Sequence, residues 1–236
     1  MKIEILYPEV CYLFGDLMNI EYLHRSLPEA EILRTSLKTP PAFLNGDVDM
    51  IYLCSMTERA QELVIDALRP YTEKIKALID GGTIFLITGN ALEIFIKSIE
   101  NEDGSKIEGL GLFDLTAKRR MMARYNSLWL GKFGDIDMVG IKSQFAHSYG
   151  DDGDGLFETV RGAGRNPAVK PEGIRKNNFM ATYVLGPLLV MNPLFAKYIM
   201  ALLGVPDRPL AFEEAAMDSY DLRLKEFTDP KRGFDY

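Results

Sequence analysis

Residues 83–99, TIFLITGNALEIFIKSI, join a short apolar run to a glycine and then to a segment whose apolar residues recur at helical spacing. A strand that turns sharply into a helix lifts one side chain above the sheet edge, beside a helix N-terminus, and α/β enzymes mount nucleophiles there. The turn offers Thr88, Gly89, Asn90 and Ala91, with neither cysteine nor serine. The stretch predicts an α/β chain that carries a mount for a reactive group without the usual group on it.

The flanking sequence agrees with that architecture. KIEILY (2–7), AEILRT (30–35) and DMIYLC (49–54) read as strands, with a helix over 17–27 between the first two, which is a βαβ beginning. In ERAQELVIDALRP (58–70), Ala60, Leu63, Val64, Ala67 and Leu68 form one helical stripe that ends at Pro70. A helix over 72–80 buries Ile75, Leu78 and Ile79 and stops at Gly81-Gly82, where glycine can take the left-handed conformation. From about residue 107 the chain changes to short runs separated by turn residues, the pattern of antiparallel or mixed strands added to a parallel core. Helices are expected at 192–204 and 209–227, followed by a frayed or docked tail over 228–236. The fold expected is a three-layer α/β domain over 1–236, a mostly parallel sheet with helices on both faces and antiparallel additions.

Charge and composition narrow the function classes. The chain has 27 basic and 34 acidic residues, a net charge of −7, with no long basic block, which argues against a nucleic-acid backbone as partner. MKIEILYPEV reads as an opening strand and not as a signal peptide. The apolar stretch 183–205 contains Gly186, Pro187, Asn192, Pro193 and Lys197, so it reads as a strand end, a turn and a helix, with no membrane insertion. Cys11 and Cys54 have no paired spacing and make no metal pattern with His24 and His147. A reduced, cytoplasmic protein without metal or cofactor is expected. DDGDG (151–155) lacks the glutamate that a calcium loop needs at its twelfth position and reads as a solvated turn. Neither GxxxxGK[ST] nor GxGxxG is present to support a phosphate loop at Gly81-Gly82 or Gly89-Asn90.

Three further motifs, LYPEVCYLFGDLMNI (6–20), IEGLGLFDLTAKR (107–119) and EGIRKNNFMATYVLGPLLVMNP (172–193), occur in an order and spacing similar to those of a known family. The chain resembles class I glutamine amidotransferases of the cobyric acid synthase type and, within that type, the glutaminase subunit of bacterial lipid II isoglutaminyl synthase. The resemblance implies a doubly wound domain in which an elbow cysteine attacks the amide of glutamine, a histidine shuttles the proton, and ammonia passes to a Mur-ligase-like synthase in cell-wall precursor amidation. A thiolate suits such chemistry because it is nucleophilic, and a nearby imidazole lowers its pKa.

The catalytic positions of the resemblance are degenerate. The family's ICGGYQ elbow corresponds to Ile87-Thr88-Gly89-Asn90-Ala91-Leu92, which puts Thr88 at the cysteine, and the histidine of GTYLHGP corresponds to Leu185. A glycine-rich loop that offers N–H groups to the oxyanion corresponds to Cys54-Ser55-Met56-Thr57. The FENHGGRT segment corresponds to residues 141–148, where His147 is new. Asp16 matches an aspartate proposed as third catalytic member, and its expected role here is to cap the helix beginning near Leu17. The resemblance places a pocket for glutamine or another small ligand at Ser55, Thr88, Gly89, Asn90, Gln144 and Tyr183.

Function reads first as an amidotransferase-like protein that has lost glutamine hydrolysis and serves as a non-catalytic partner. A divergent hydrolase using Cys54 with His147 is the enzyme alternative, because that is the one nucleophile and base pair the sequence could assemble. A small-ligand sensor built on the former glutamine pocket is the third. Thr88 as nucleophile lacks the free N-terminal amine on which threonine nucleophiles rely. Arg119, Arg120 and Arg124 could hold an anion, although charges in a strand-rich region ordinarily decorate a solvated face. Tyr125, Trp129, Phe133 and Phe145 read as core and sheet faces.

Overall fold

The computed structural model describes residues 1–236 except 47, 151, 152, 154, 235 and 236. Strands β1 (Lys2–Leu6), β2 (Glu31–Thr35), β3 (Met50–Leu53) and β4 (Ile84–Thr88) alternate with helices α1 (Met18–Ser26), α2 (Glu58–Leu68) and α3 (Thr72–Asp80). After β4 come α4 (Leu92–Phe95), then β5 (Ile96–Glu100), β6 (Lys106–Glu108), β7 (Phe113–Arg119), β8 (Tyr125–Phe133), β9 (Ile136–Gln144), β10 (Ala146–Gly150) and β11 (Phe157–Arg161). The chain closes with β12 (Pro171–Glu172), β13 (Ile174–Lys176), β14 (Phe179–Thr182), α5 (Leu188–Met191), α6 (Pro193–Leu202) and α7 (Glu213–Thr228).

A six-stranded sheet in the order β13-β14-β4-β3-β1-β2 is parallel except for β13, and its central strands β3, β4 and β14 are buried along their whole length. Such strands must read as continuous apolar runs, as MIYL, IFLIT and FMAT do. The edge strand β2 is half-exposed and carries Glu31 and Arg34. The second half adds two four-stranded sheets, β10-β7-β5-β6 and β12-β11-β8-β9, in which only β5 and β7 run parallel. The architecture is therefore the expected mixed α/β one, with a helix-flanked parallel sheet and antiparallel additions.

Several local expectations change. The segment after the elbow is helical for one turn only; from Ile96 it is strand β5, paired with β6 and β7. Residues 91–96 are buried on every side, so burial gives no periodicity that would separate helix from strand there. The stripe of α2 is rotated: Leu63 is half-exposed, and Ile65 and Gln61 face inward with Ala60, Val64 and Leu68. The helix ends at Leu68, and Pro70 sits in a following 3-10 turn. Helix α3 stops at Gly81-Gly82 as expected, and Gly82 is the residue of the pair that is left-handed. The tail docks: Leu128 N–H donates to the Phe234 carbonyl, and Arg161 donates to the carbonyls of Phe227, Asp229 and Arg232. The acidic turn expected at 151–155 lies largely outside the described residues. Among the described residues no helix is long and apolar enough to cross a membrane.

Candidate functional site

Register brings the site together. Leu53 pairs with Ile87 and Thr88 with Thr182, so Cys54-Ser55, Gly89-Asn90 and Tyr183 to Leu185 leave the sheet side by side at the C-terminal ends of their strands. Open α/β sheets bind ligands at that edge. The loop after β1 closes over it through a bridge between Cys11 and Met56, and Leu13 N–H donates to the Ser55 carbonyl.

At the elbow, Thr88 keeps the extended backbone of a strand, at φ −122° and ψ 149°, and the residue that turns is Gly89, at φ +65°. Glycine adopts that conformation without the strain another residue would carry. A β-carbon built on Gly89 would stand 2.6 Å from the Ser55 β-carbon and 3.2 Å from Leu185 Cδ2. The position that projects over the sheet edge therefore holds no side chain, and its space is filled by Ser55 and Leu185. Asn90 locks the same turn: its Oδ1 accepts from Met56 N–H at 3.0 Å and its Nδ2 donates to the Met56 carbonyl at 2.8 Å. The Met56 N–H is thereby already engaged, and Thr57 Oγ1 caps α2 by accepting from Ala60 N–H.

Asp16 does not cap a helix. Helix α1 begins at Met18 with no side-chain cap, and the Asp16 carboxyl, fully buried, accepts from Thr88 Oγ1 at 2.8 Å and Ser55 Oγ at 3.0 Å on Oδ2. Its Oδ1 has no partner among the described residues. Burial raises its pKa from 3.8 to about 6, against the lowering effect of the two hydroxyls. Tyr52 extends the network: its hydroxyl donates to the Asp16 carbonyl, lies 3.3 Å from Thr88 Oγ1 and accepts from Asn19 Nδ2. Asn19 Oδ1 in turn accepts from Leu189 N–H at the start of α5. So Thr88 does have a base beside it, but it is fully buried and tied into packing.

The cleft above this network has a volume of about 110 Å³ and is lined by Ser55, Gly89, Asn90, Gln144 and Leu185. Thr88 and Tyr183, expected in the pocket, lie beneath its floor; the Tyr183 hydroxyl is 2.6 Å from Ser148 Oγ. Among the lining residues that sequence reasoning did not place in the pocket are two buried charged ones. Glu93, one turn beyond Gly89, is buried, accepts from Gln61 Nε2 at 3.0 Å, and burial raises its pKa from 4.5 to about 7. Arg119 is 6% exposed, contrary to the solvated face expected of it, and donates to Gln61 Oε1 and Asn101 Oδ1. Strict alternation along FDLTAKR, buried at Phe113, Leu115, Ala117 and Arg119, was the signal that could have placed it inside.

Cys54 and His147 are not brought together. Cys54 lines no part of the cleft; its thiol donates to the Cys11 carbonyl at 3.0 Å, and burial pushes its pKa well up. His147 lies on β10 in a neighbouring cavity, 3.2 Å through Nδ1 from Gln144 Nε2, with its pKa lowered by burial and then by Lys142 and Arg120. Cys11 packs against Met56, sulfur to sulfur at 3.7 Å.

Two solved structures are similar in fold along nearly their whole length: one chain of PurLQS from Thermotoga maritima (TM-score 0.54, 13% identity, 94% of this chain and 98% of that one) and a glutamine amidotransferase (TM-score 0.52, 14% identity, 86% and 99%). The chain has a glutamine amidotransferase fold. In sequence it is 26% identical, over 176 residues, to the lipid II isoglutaminyl synthase (glutamine-hydrolyzing) subunit GatD of Staphylococcus aureus strain N315, a match covering 72% of this chain and 71% of that protein. No family model matches the chain.

Proposed function

We propose that this is an amidotransferase-type protein that does not hydrolyse glutamine and serves as the non-catalytic partner of a Mur-ligase-like synthase, in the cytoplasm, in amidation of a cell-wall precursor. The observation that carries the reading is the elbow: Gly89 turns the chain, Ser55 and Leu185 fill the space a reactive side chain would need, and among the described residues no thiol lines the cleft. Leu185 offers no proton transfer, and the Met56 N–H that would face an oxyanion is engaged by Asn90. Losing one member of a cooperating set abolishes most of the rate, after which the others drift without further cost. The likeness to GatD, which is a subunit of a synthase, supports the partner role.

Ammonia release from glutamine, measured on the purified chain alone and with a Mur-ligase-like chain from the same genome, tests the reading. No release above buffer together with co-elution of the two chains is expected. Steady release that both thiol alkylation and Cys54→Ala abolish would reject it in favour of the divergent hydrolase.

A second reading, a small-ligand sensor, is favoured by one observation. Gln144 Oε1 is buried without a partner among the described residues and shares the cleft with Glu93 and Arg119. Such a site would hold glutamine or a smaller polar molecule and would show itself as thermal stabilisation by an amino acid without turnover.

A further inference from the structure

Beside the elbow cleft lies a second cavity of about 380 Å³, within the roughly 300–1,000 Å³ of ordinary small-ligand sites. Its construction follows from register. Strands β7 and β10 pair antiparallel with Lys118 opposite His147 and Thr116 opposite Tyr149, and Arg120 N–H donates to the Phe145 carbonyl one step further along. Side chains two residues apart share a face of a sheet, so Lys118 and Arg120 on one strand stand beside Phe145, His147 and Tyr149 on the other. Arg124 and Tyr125, from the turn into β8 and its first residue, complete the wall.

Charge distinguishes this cavity from the rest of the surface. The chain carries a net charge of −7, yet no carboxylate lines the cavity among the described residues. Among the described residues Lys118, Arg120 and Arg124 form no ion pair and no side-chain hydrogen bond, whereas Lys97, Lys132, Lys176 and Lys197 each hold an acid. Two of the three rest on aromatic faces instead, Lys118 5.5 Å from the Tyr149 ring centre and Arg124 4.3 Å from that of Phe145. His147 lies 5.3 Å from the Tyr125 ring and is half-buried, a fourth nitrogen group lining the same space. Three cations with no acid beside them among the described residues, set among aromatic rings, suit a compact multiply charged anion with a flat apolar part.

We propose that this cavity is a binding site for a nucleoside phosphate, with Lys118 and Arg120 on the phosphates and Tyr125 or Tyr149 against the base. Its size favours a mononucleotide over a nucleic-acid strand, which would need an extended groove of several nucleotides. The site is separate from the elbow cleft, which it touches only at Arg124 and Phe145, and it stands whether or not glutamine is hydrolysed.

Calorimetric titration of the full chain at low salt with inorganic phosphate, pyrophosphate, adenosine, ADP and a single-stranded DNA oligomer tests the proposal. ADP is expected to bind more tightly than pyrophosphate, and adenosine not at all. Lys118→Ala and Arg120→Ala are each expected to weaken ADP by about tenfold. Lys118→Arg should retain it, and unchanged melting temperatures would show that these exposed positions leave the fold intact. Absence of binding by ADP and pyrophosphate, binding indifferent to both alanine variants, or equal affinity for ADP and pyrophosphate would each overturn the proposal. So would binding of the oligomer without ADP, which would make the cavity part of a nucleic-acid surface.

Discussion

Replacing Asp16 by asparagine isolates the energetics of the buried elbow. Among the described residues the carboxyl has two hydroxyl donors on Oδ2 and no partner on Oδ1, and burial raises its pKa from 3.8 to about 6. Between those two values the folded chain holds a proton that the unfolded chain has released, so stability falls as pH rises through the window. At 1.36 kcal/mol per pH unit, the loss is about 3 kcal/mol, complete above pH of about 6. Asparagine can keep an oxygen toward Thr88 and Ser55 and put its amide where Oδ1 was, which copies the protonated acid at every pH. Urea denaturation of both chains from about pH 4 to about pH 8 is expected to give nearly equal stabilities at the acid end, with the variant more stable by up to about 3 kcal/mol at the alkaline end. Glu93, raised from 4.5 to about 7, titrates in both chains and cancels in the difference. A difference that stays flat across the range would refute the idea of an unpaired buried carboxylate at this turn, and a variant that becomes less stable than the native chain as pH rises would show that the ionised form is the one the fold prefers.

Gly89→Ala is expected to destabilise by about 2–4 kcal/mol in the same assay, because it adds left-handed strain to a β-carbon contact, and Ser55→Gly in the same chain should recover part of the loss. A neutral Gly89→Ala would mean that the turn has room after all. Lys142 and Glu172 are paired at 3.3 Å with both side chains fully buried, so Lys142→Met alone should cost about 3–5 kcal/mol, and Glu172→Gln added to it should restore a measurable part. Arg161→Ala removes three hydrogen bonds to tail carbonyls and the contact with the Phe234 ring, so amide exchange over 228–234 should quicken while β8 and β9 stay protected. Unchanged exchange in the tail would show that Phe227 and Phe234 hold it unaided.

The parallel sheet was legible because its strands are buried on both faces and must be continuous apolar runs, and because Gly89 and Gly82 mark the turns that need a left-handed residue. The same uniform burial hid the end of α4: in ALEIFIKSI every residue from Ala91 to Ile96 faces protein, so helix and strand leave the same apolar trace. Asp16 looked like a helix cap because only its neighbours in sequence were visible; its actual partners, Ser55 and Thr88, lie 39 and 72 residues away. Long-range register was the missing information for Arg119 and Glu93 as well. The one also gives the clue of alternation, while the other gives none until the elbow is folded. Of the four aromatics expected on core and sheet faces, Trp129 and Phe133 are buried, while Tyr125 and Phe145 are half-buried and line the basic cavity.

A glycine at the turning position changes what the turn costs. A side chain held at positive φ stores on the order of 1–3 kcal/mol, which reactive elbows tolerate because that strain aims the nucleophile. With Gly89 the strain disappears together with anything to aim, and the contact of Ser55 with Gly89 becomes ordinary packing. The two carboxyls do not follow that simplification: Asp16 and Glu93 each cost about 3 kcal/mol once ionised, and apolar residues would spare the fold both penalties. The Asp16 carboxyl at least holds Thr88 and Ser55 in place, and its backbone carbonyl accepts from Tyr52, which with Asn19 ties β3 and α1 to α5. Glu93, whose carboxylate is favoured by Gln61, by the Arg119 charge and by the Tyr183 hydroxyl without offsetting its burial, opens on the cleft, beside a Gln144 Oε1 that has no partner among the described residues. Of the two, Glu93 is the residue whose cost a bound donor would relieve. An amine- or amide-bearing ligand that belongs in this cleft must therefore stabilise the chain more above the Glu93 pKa than below it, and one that stabilises equally at both ends of the range is bound somewhere else.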